Sequence, residues 1–123
     1  MNNKLPKLIV ILGPTASGKT GLALQLAKKF TGQIISADSR QIYRGMDIGT
    51  DKIKLKEAEN SENIYCSGQT DNILHYMVDI VDPDQEFTLS KYQQAVFSVL
   101  SKDGNNFLVG GTGLYISAIV DNL

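Results

Sequence analysis

At 123 residues and 13.4 kDa the chain suits one domain with one modest core, and its 42% hydrophobic and 20% charged residues give a globular rather than a disordered balance. A single cysteine, Cys66, excludes an internal disulfide; with a single histidine, His75, it also excludes a Cys/His zinc cluster. The net charge of −1 divides into ten basic residues against three acids over residues 1–56 (+7) and two against ten over residues 57–123 (−8). So neutral a chain is a poor general nucleic-acid binder, although its front half can attract an anion.

In chain order, Leu8–Leu12 is a continuous apolar run ended by Gly13-Pro14, which predicts a strand buried on both faces. It is also the longest such run, too short to cross a membrane or serve as a signal-peptide core, and a cytoplasmic protein is expected. From Gly18 the spacing of Leu22, Ala23, Leu26, Ala27 and Phe30 predicts a helix, with Lys28 and Lys29 in its last turn and Gly32 just past its end. Gln33–Ala37 reads as a second strand, and the polar stretch Lys52–Asn72 as an exposed helix-and-loop excursion. Met77–Val81 reads as a third strand, stopped by Asp82-Pro83. Tyr92, Ala95, Val96, Val99 and Leu100 then share a helical face that Thr88 or Ser90 would cap. Phe107–Val109 is another short strand, running into Gly110-Gly111-Thr112-Gly113. The last helix starts near Leu114 and carries Ile116, Ile119, Val120 and Leu123. Strands alternating with helices predict a three-layer α/β fold on a parallel sheet.

Gly13-Pro14-Thr15-Ala16-Ser17-Gly18-Lys19-Thr20 matches G-x-x-x-x-G-K-[ST], and it follows a predicted strand and opens a predicted helix as that motif requires. Its glycines let successive backbone N–H groups curl around an anion, with the helix N-terminus adding partial positive charge. Lys19 reaches phosphate oxygens, and the Thr20 hydroxyl is placed to ligate a Mg²⁺ bridging them. The expected ligand is a di- or triphosphate. An ATPase of this architecture usually holds its metal with an Asp at a strand end. Here Val109 leads into glycine, and Val78-Asp79-Ile80-Val81-Asp82 is a weak substitute. Asp38 does end a predicted strand cleanly, so it should share a crevice with the phosphate loop, as base or metal ligand or else as a helix N-cap.

The loop Gly13–Thr20, the run Asp38-Ser39-Arg40-Gln41-Ile42-Tyr43-Arg44-Gly45-Met46-Asp47-Ile48-Gly49-Thr50 and the segment Val109-Gly110-Gly111-Thr112-Gly113-Leu114-Tyr115 together resemble the successive signatures of tRNA dimethylallyltransferases. His75–Pro83 resembles that family's intervening segment. The resemblance implies a P-loop NTPase-like fold and transfer of a dimethylallyl group from dimethylallyl diphosphate to the exocyclic N6 amine of an adenine beside the tRNA anticodon. It implies that Thr15–Thr20 hold the prenyl diphosphate with Mg²⁺ and that Asp38 is the general base. It also implies that Asp38, Ser39, Arg40, Gln41 and Thr112 meet the tRNA. Family members are more than twice this length, so residues 1–123 are expected to be the front, catalytic-core portion of a longer protein. The helical domain that grips the anticodon stem, and the later core elements, would be absent. Full-length members are expected to be monomers.

Three other readings stay open: an adenylate dimethylallyltransferase acting on a free nucleotide, a small P-loop kinase, and a phosphate-binding module without activity. The kinase would need an arginine-rich lid, whereas Arg40 and Arg44 are the only arginines. His75 is expected to be half-buried and hydrogen-bonded, Cys66 to be a bystander, and Tyr43 and Tyr115 either to stack on a base or to pack in the core.

Overall fold

The computed structural model describes residues 7–13, 18–45, 55–58, 63–111 and 113–122. Its elements are β1 (Lys7–Leu12), α1 (Lys19–Phe30), β2 (Gly32–Ser36), α2 (Ser39–Ile42), β3 (Cys66–Thr70), β4 (Ile73–Tyr76), α3 (Leu89–Val99), β5 (Asn105–Gly110) and α4 (Gly113–Val120). They form one sheet in the order β1-β5-β2-β4-β3. The first four are mutually parallel, and β3 returns antiparallel to β4 at the edge. On one face α1 packs Ala23 and Ala27 against Ile11, Ile34, Ile73, Phe107 and Val109. On the other, α3 and α4 bring Tyr92, Val96, Ile116 and Ile119 onto Ile35 and Leu108. The three-layer α/β architecture is therefore as expected, with an antiparallel strand added to the parallel sheet.

Four local expectations are corrected. The strand expected at Met77–Val81 lies earlier, at Ile73–Tyr76. Met77 and Asp79 instead take left-handed backbone conformations, with φ of 70° and 53°, so the chain leaves the sheet while Met77 and Val78 stay buried. The stretch expected to be an excursion contains β3, whose sequence Cys66-Ser67-Gly68-Gln69-Thr70 lacks the alternation that marks a strand. Its ladder is made by backbone groups and interrupted by a bulge between Cys66 and Gly68. β1 is not buried on both faces: Ile9, Val10 and Leu12 are exposed, because β5 is its one neighbour among the described residues. Lastly, Gly32 does not cap α1 but opens β2. A Cβ there would sit 2.7 Å from the Asn105 carbonyl oxygen and the Phe107 ring, and Thr31 is the residue that caps the helix, at φ 57° and ψ 112°.

The predicted face of α1 narrows to Ala23 and Ala27, with Leu22 and Phe30 exposed. The face of α3 is as expected, buried at Tyr92, Ala95, Val96 and Val99 and capped by Thr88, whose hydroxyl accepts the Lys91 N–H at 3.1 Å. On α4, Ile116 and Ile119 are buried and Val120 is exposed; Leu123 lies outside the described residues. Among the described residues no helix is long and apolar enough to cross a membrane.

Candidate functional site

The carboxyl ends of β1, β5 and β2 are tied together by backbone hydrogen bonds. The Gly13 N–H donates to the Gly110 carbonyl at 3.2 Å, and the Ala37 N–H to the Val109 carbonyl at 2.7 Å. Gly110 permits this approach, since a Cβ there would lie 2.7 Å from the Ala37 carbonyl oxygen and 2.9 Å from the Ala37 Cβ. All three segments singled out in the sequence thus emerge side by side at one end of the sheet, where ligands bind in open α/β folds. At the usual strand spacing, Gly13 and Asp38 stand about 10 Å apart, two strands across.

On the first side of this crevice, Gly18 adopts φ 83° and its carbonyl receives the Leu22 N–H at 3.0 Å, which starts α1 at Lys19. Gly18 is the N-cap with no side-chain cap, so the first N–H groups of the helix have no capping acceptor from that residue. Lys19 is buried and Thr20 half-buried in the first turn. Pro14, Thr15, Ala16 and Ser17, named with Gly13 and Gly18–Thr20 as the phosphate-binding set, lie outside the described residues. So does Thr112.

On the second side Asp38 is 7% exposed and caps α2, one carboxylate oxygen accepting the Arg40 N–H at 2.9 Å. Its N-cap role is therefore real. The short helix is held from below: the Ser36 hydroxyl donates to the Gln41 amide oxygen at 2.8 Å, and the Tyr92 hydroxyl to the Ser36 carbonyl at 2.8 Å. Ser39 and Arg40 are exposed, whereas Gln41 is buried and turned inward. Arg44 closes the unit through Asp82, at 2.7 Å, and the Ile80 carbonyl, at 3.2 Å.

Other candidates fall elsewhere. His75 is 2% exposed, more deeply buried than expected, and its Nε2 has no hydrogen-bond partner. Burial lowers its pKa to about 4, so it is neutral at physiological pH. Tyr115 stacks on Tyr92 with ring centroids 4.4 Å apart, and Tyr43 is partly buried against the same core. A cavity of about 230 Å³ without charged lining residues opens between Thr31, Gln33, Asn72 and Asn105, at the end of the sheet opposite Asp38 and the start of α1. Tyr92 as the support under β2 is not readable from the sequence, because its apolar spacing reads simply as core.

Residues 41–123 match the family described as IPP transferase. Over 118 residues the chain is 52% identical to the tRNA dimethylallyltransferase of Halothermothrix orenii, covering 93% of this chain and 32% of that one. With tRNA dimethylallyltransferase 1 of Syntrophus aciditrophicus it shares 47% over 122 residues, 96% of this chain and 37% of the relative. The crystal structure of the full-length tRNA isopentenylpyrophosphate transferase from Bacillus halodurans superposes with a TM-score of 0.77 at 38% identity, covering 97% of this chain and 37% of that one. The chain spans about a third of the length of these relatives. On the family match, which takes in both the segment after Asp38 and the glycine-rich segment after β5, this chain belongs to the IPP transferase family.

Proposed function

We propose that this chain carries the diphosphate-binding and proton-accepting part of a tRNA dimethylallyltransferase. The observation that carries the reading is the pair of hydrogen bonds joining Gly13 to Gly110 and Ala37 to Val109, which sets the phosphate loop and Asp38 on one crevice. Gly13, Gly18, Lys19 and Thr20, with the intervening 14–17 segment, bind the diphosphate end of dimethylallyl diphosphate. The prenyl carbon is then presented toward Asp38. The adenine N6 attacks that carbon as its bond to the diphosphate oxygen breaks, and the Asp38 carboxylate takes the N6 proton. Positive charge at the loop strengthens its hold on the diphosphate as negative charge develops there. Ser39 and Arg40 are exposed beside Asp38 and meet the tRNA, as does Thr112. Gln41, from its inward position, holds α2 in place.

The donor set fits magnesium carried by the substrate. Thr20 supplies one hydroxyl in the first turn of α1, and among the described residues no three His, Cys, Asp or Glu side chains group to form a metal site. A Mg²⁺ keeps most of its waters and binds diphosphate oxygens readily, so one hydroxyl suffices. When bound, the ion supplies charge against the leaving diphosphate. The reaction belongs to the cytoplasm, where its tRNA substrate is found.

The test is labelled dimethylallyl diphosphate offered with tRNA, AMP and ATP in parallel, to this chain and to the same residues placed in a full-length relative. Transfer to tRNA alone is expected in the full-length setting, falling ~10²–10⁴-fold with Asp38→Asn while diphosphate binding persists. Transfer to AMP or ATP instead would establish the adenylate reading. Phosphoryl transfer from ATP would establish a kinase.

A further inference from the structure

β2 ends on a polar residue where the core would accept an apolar one. Ile34, Ile35 and Ala37 around it all join the apolar clusters, and Ser36 is buried with them. A buried hydroxyl destabilises unless it is hydrogen-bonded, and this one both donates and accepts. Its proton goes to the Gln41 amide oxygen at 2.8 Å, and its oxygen accepts the Asp38 N–H at 3.4 Å. Asp38 is thereby held at three points. Its N–H meets the Ser36 hydroxyl, its carbonyl accepts the Gln41 N–H at 3.1 Å, and its carboxylate accepts the Arg40 N–H at 2.9 Å. Two of the three lead back to Ser36, because Gln41 takes the Ser36 proton through its side chain. The ring of contacts closes within residues 36–41, beside a helix of only four residues, too short to hold itself.

We infer that Ser36 is a positioning residue for the transfer step: its hydroxyl sets where the Asp38 carboxylate stands, and so how well that carboxylate meets the amine proton. This rests on the proposed function above, in which Asp38 accepts that proton. A base must reach its proton at hydrogen-bond distance, and a displacement of about 1 Å can cost ~10²-fold in rate. Buried at the strand end, the hydroxyl acts through Asp38 and not on the ligand. The phosphate loop leaves β1, which stands two strands from β2 across β5, so diphosphate binding does not depend on Ser36.

The plain alternative is that Ser36 only satisfies the buried Gln41 amide and steadies the fold. Single-turnover transfer from labelled dimethylallyl diphosphate to tRNA separates the two, measured well below the melting temperature with residues 1–123 placed in a full-length relative. Ser36→Ala is expected to slow transfer ~10–100-fold, with the dimethylallyl diphosphate concentration for half-maximal rate unchanged. In an Asp38→Asn background the same substitution should change the rate little, since placing a group that no longer accepts the proton has no effect on its transfer. Gln41→Met, which removes the acceptor of the same hydroxyl, should behave alike and keeps the test open if the alanine variant folds poorly. A loss as large in the Asp38→Asn background as in the parent overturns the inference. So does a parent rate that neither variant lowers while Asp38→Asn does, and in that case the proposed function stands. If Asp38→Asn alone leaves the rate unchanged, the proton-accepting reading falls and takes this inference with it.

Discussion

Polar groups buried on the α3 and α4 face of the sheet are fully engaged, whereas those on the α1 face are not. Asn106, fully buried in β5, donates through Nδ2 to the Lys7 and Ser101 carbonyls at 3.0 and 2.9 Å. Its Oδ1 accepts from the Gln33 amide at 2.8 Å and the Ser101 N–H at 2.9 Å. The Tyr92 hydroxyl on the same face reaches the Ser36 carbonyl. Under α1, in contrast, His75 Nε2 and Thr70 Oγ1 are buried without partners. Both lie on that face by register, since Ile73 belongs to the α1 core, His75 follows it by two residues, and Thr70 is paired with it. The difference separates two jobs. The α3/α4 face, with large side chains and a closed polar network, holds the strands in register. The α1 face meets the sheet through Ala23 and Ala27, which let the helix that starts at Lys19 lie close against it.

The largest effect is expected at Asn106. Asn106→Leu keeps the volume but takes a partner from the Lys7 and Ser101 carbonyls and the Ser101 N–H, while the Gln33 amide keeps its bond to the Val99 carbonyl. With roughly 1 kcal/mol for each group left unsatisfied, the loss is on the order of 3 kcal/mol. That is a large part of a domain's total stability. Urea unfolding measures it; a loss below ~1 kcal/mol would mean that the network is not what distinguishes the two faces.

Acid should act through the opposite face. The folded-state pKa of His75 is lowered to about 4 from 6.5 by burial. Between those values the unfolded chain binds a proton that the folded chain refuses. Stability is therefore complete above pH 6.5, falls as pH drops toward 4, and levels off below. The full change is about 3 kcal/mol. The exposed Asp71, whose pKa the Lys28 ammonium holds below the usual carboxylate range, adds its own loss at lower pH. His75→Leu isolates the histidine contribution. Unfolding curves of parent and variant from pH 7 to pH 4 should converge as the pH rises if neutral His75 is tolerated there. A parent curve flat across that range would remove His75 as the acid-sensitive group.

How much of this was legible in the sequence follows from the range of each interaction. Gly18-Lys19-Thr20 and Asp38 announce themselves because a helix start and its cap are local, fixed by a few neighbouring residues. β5 is legible because it is buried on both faces and so is apolar throughout Phe107–Val109. β3 is not, since an edge strand held by backbone groups needs no apolar side chains. The reading of β4 slips by four residues because Met77 and Val78 remain apolar after the chain has left the sheet, buried by a turn that hydrophobic pattern does not encode. Asn106 is invisible for another reason: its bond to the Lys7 carbonyl closes 99 residues of sequence. Of the candidate site, the places of Lys19 and Thr20 at a helix start and of Asp38 past a strand end were legible, but the supports beneath them, Tyr92, Ser36 and the backbone bonds of residues 79–81 to α2, were not.

The small-residue contact of α1 gives a milder test. Ala23 is fully buried, and Ala23→Leu adds volume where none is free. Overpacking of this kind costs about 1–3 kcal/mol. Because Ala23 follows Lys19 by one helical turn, displacement of the helix should also weaken pyrophosphate binding, which calorimetry reads directly. Leu22→Ala, at an exposed neighbour, should change neither. Equal effects at both positions would mean that close approach of α1 is not what the alanines provide.

The smallest effect expected is also the most local. Tyr92→Phe removes one hydroxyl and keeps the ring against Tyr115. The lost hydrogen bond to the Ser36 carbonyl is worth about 0.5–1.5 kcal/mol, since a buried acceptor is left behind. Global stability will hardly register it, but its position matters. Ser36 also donates its hydroxyl to Gln41 and stands two residues before Asp38, so the phenol anchors the end of β2 on which the crevice depends. Native-state hydrogen exchange should show faster exchange at the Ala37 amide, which bonds the Val109 carbonyl, and at the Gln41 amide, which bonds the Asp38 carbonyl, with α1 amides unchanged. That asymmetry follows from Tyr92 lying on the α3 side of the sheet: it supports the strand end beneath Asp38 and makes no contribution to the helix beginning at Lys19. Faster exchange spread evenly over both faces would instead make Tyr92 a general core residue and α2 a helix that holds itself.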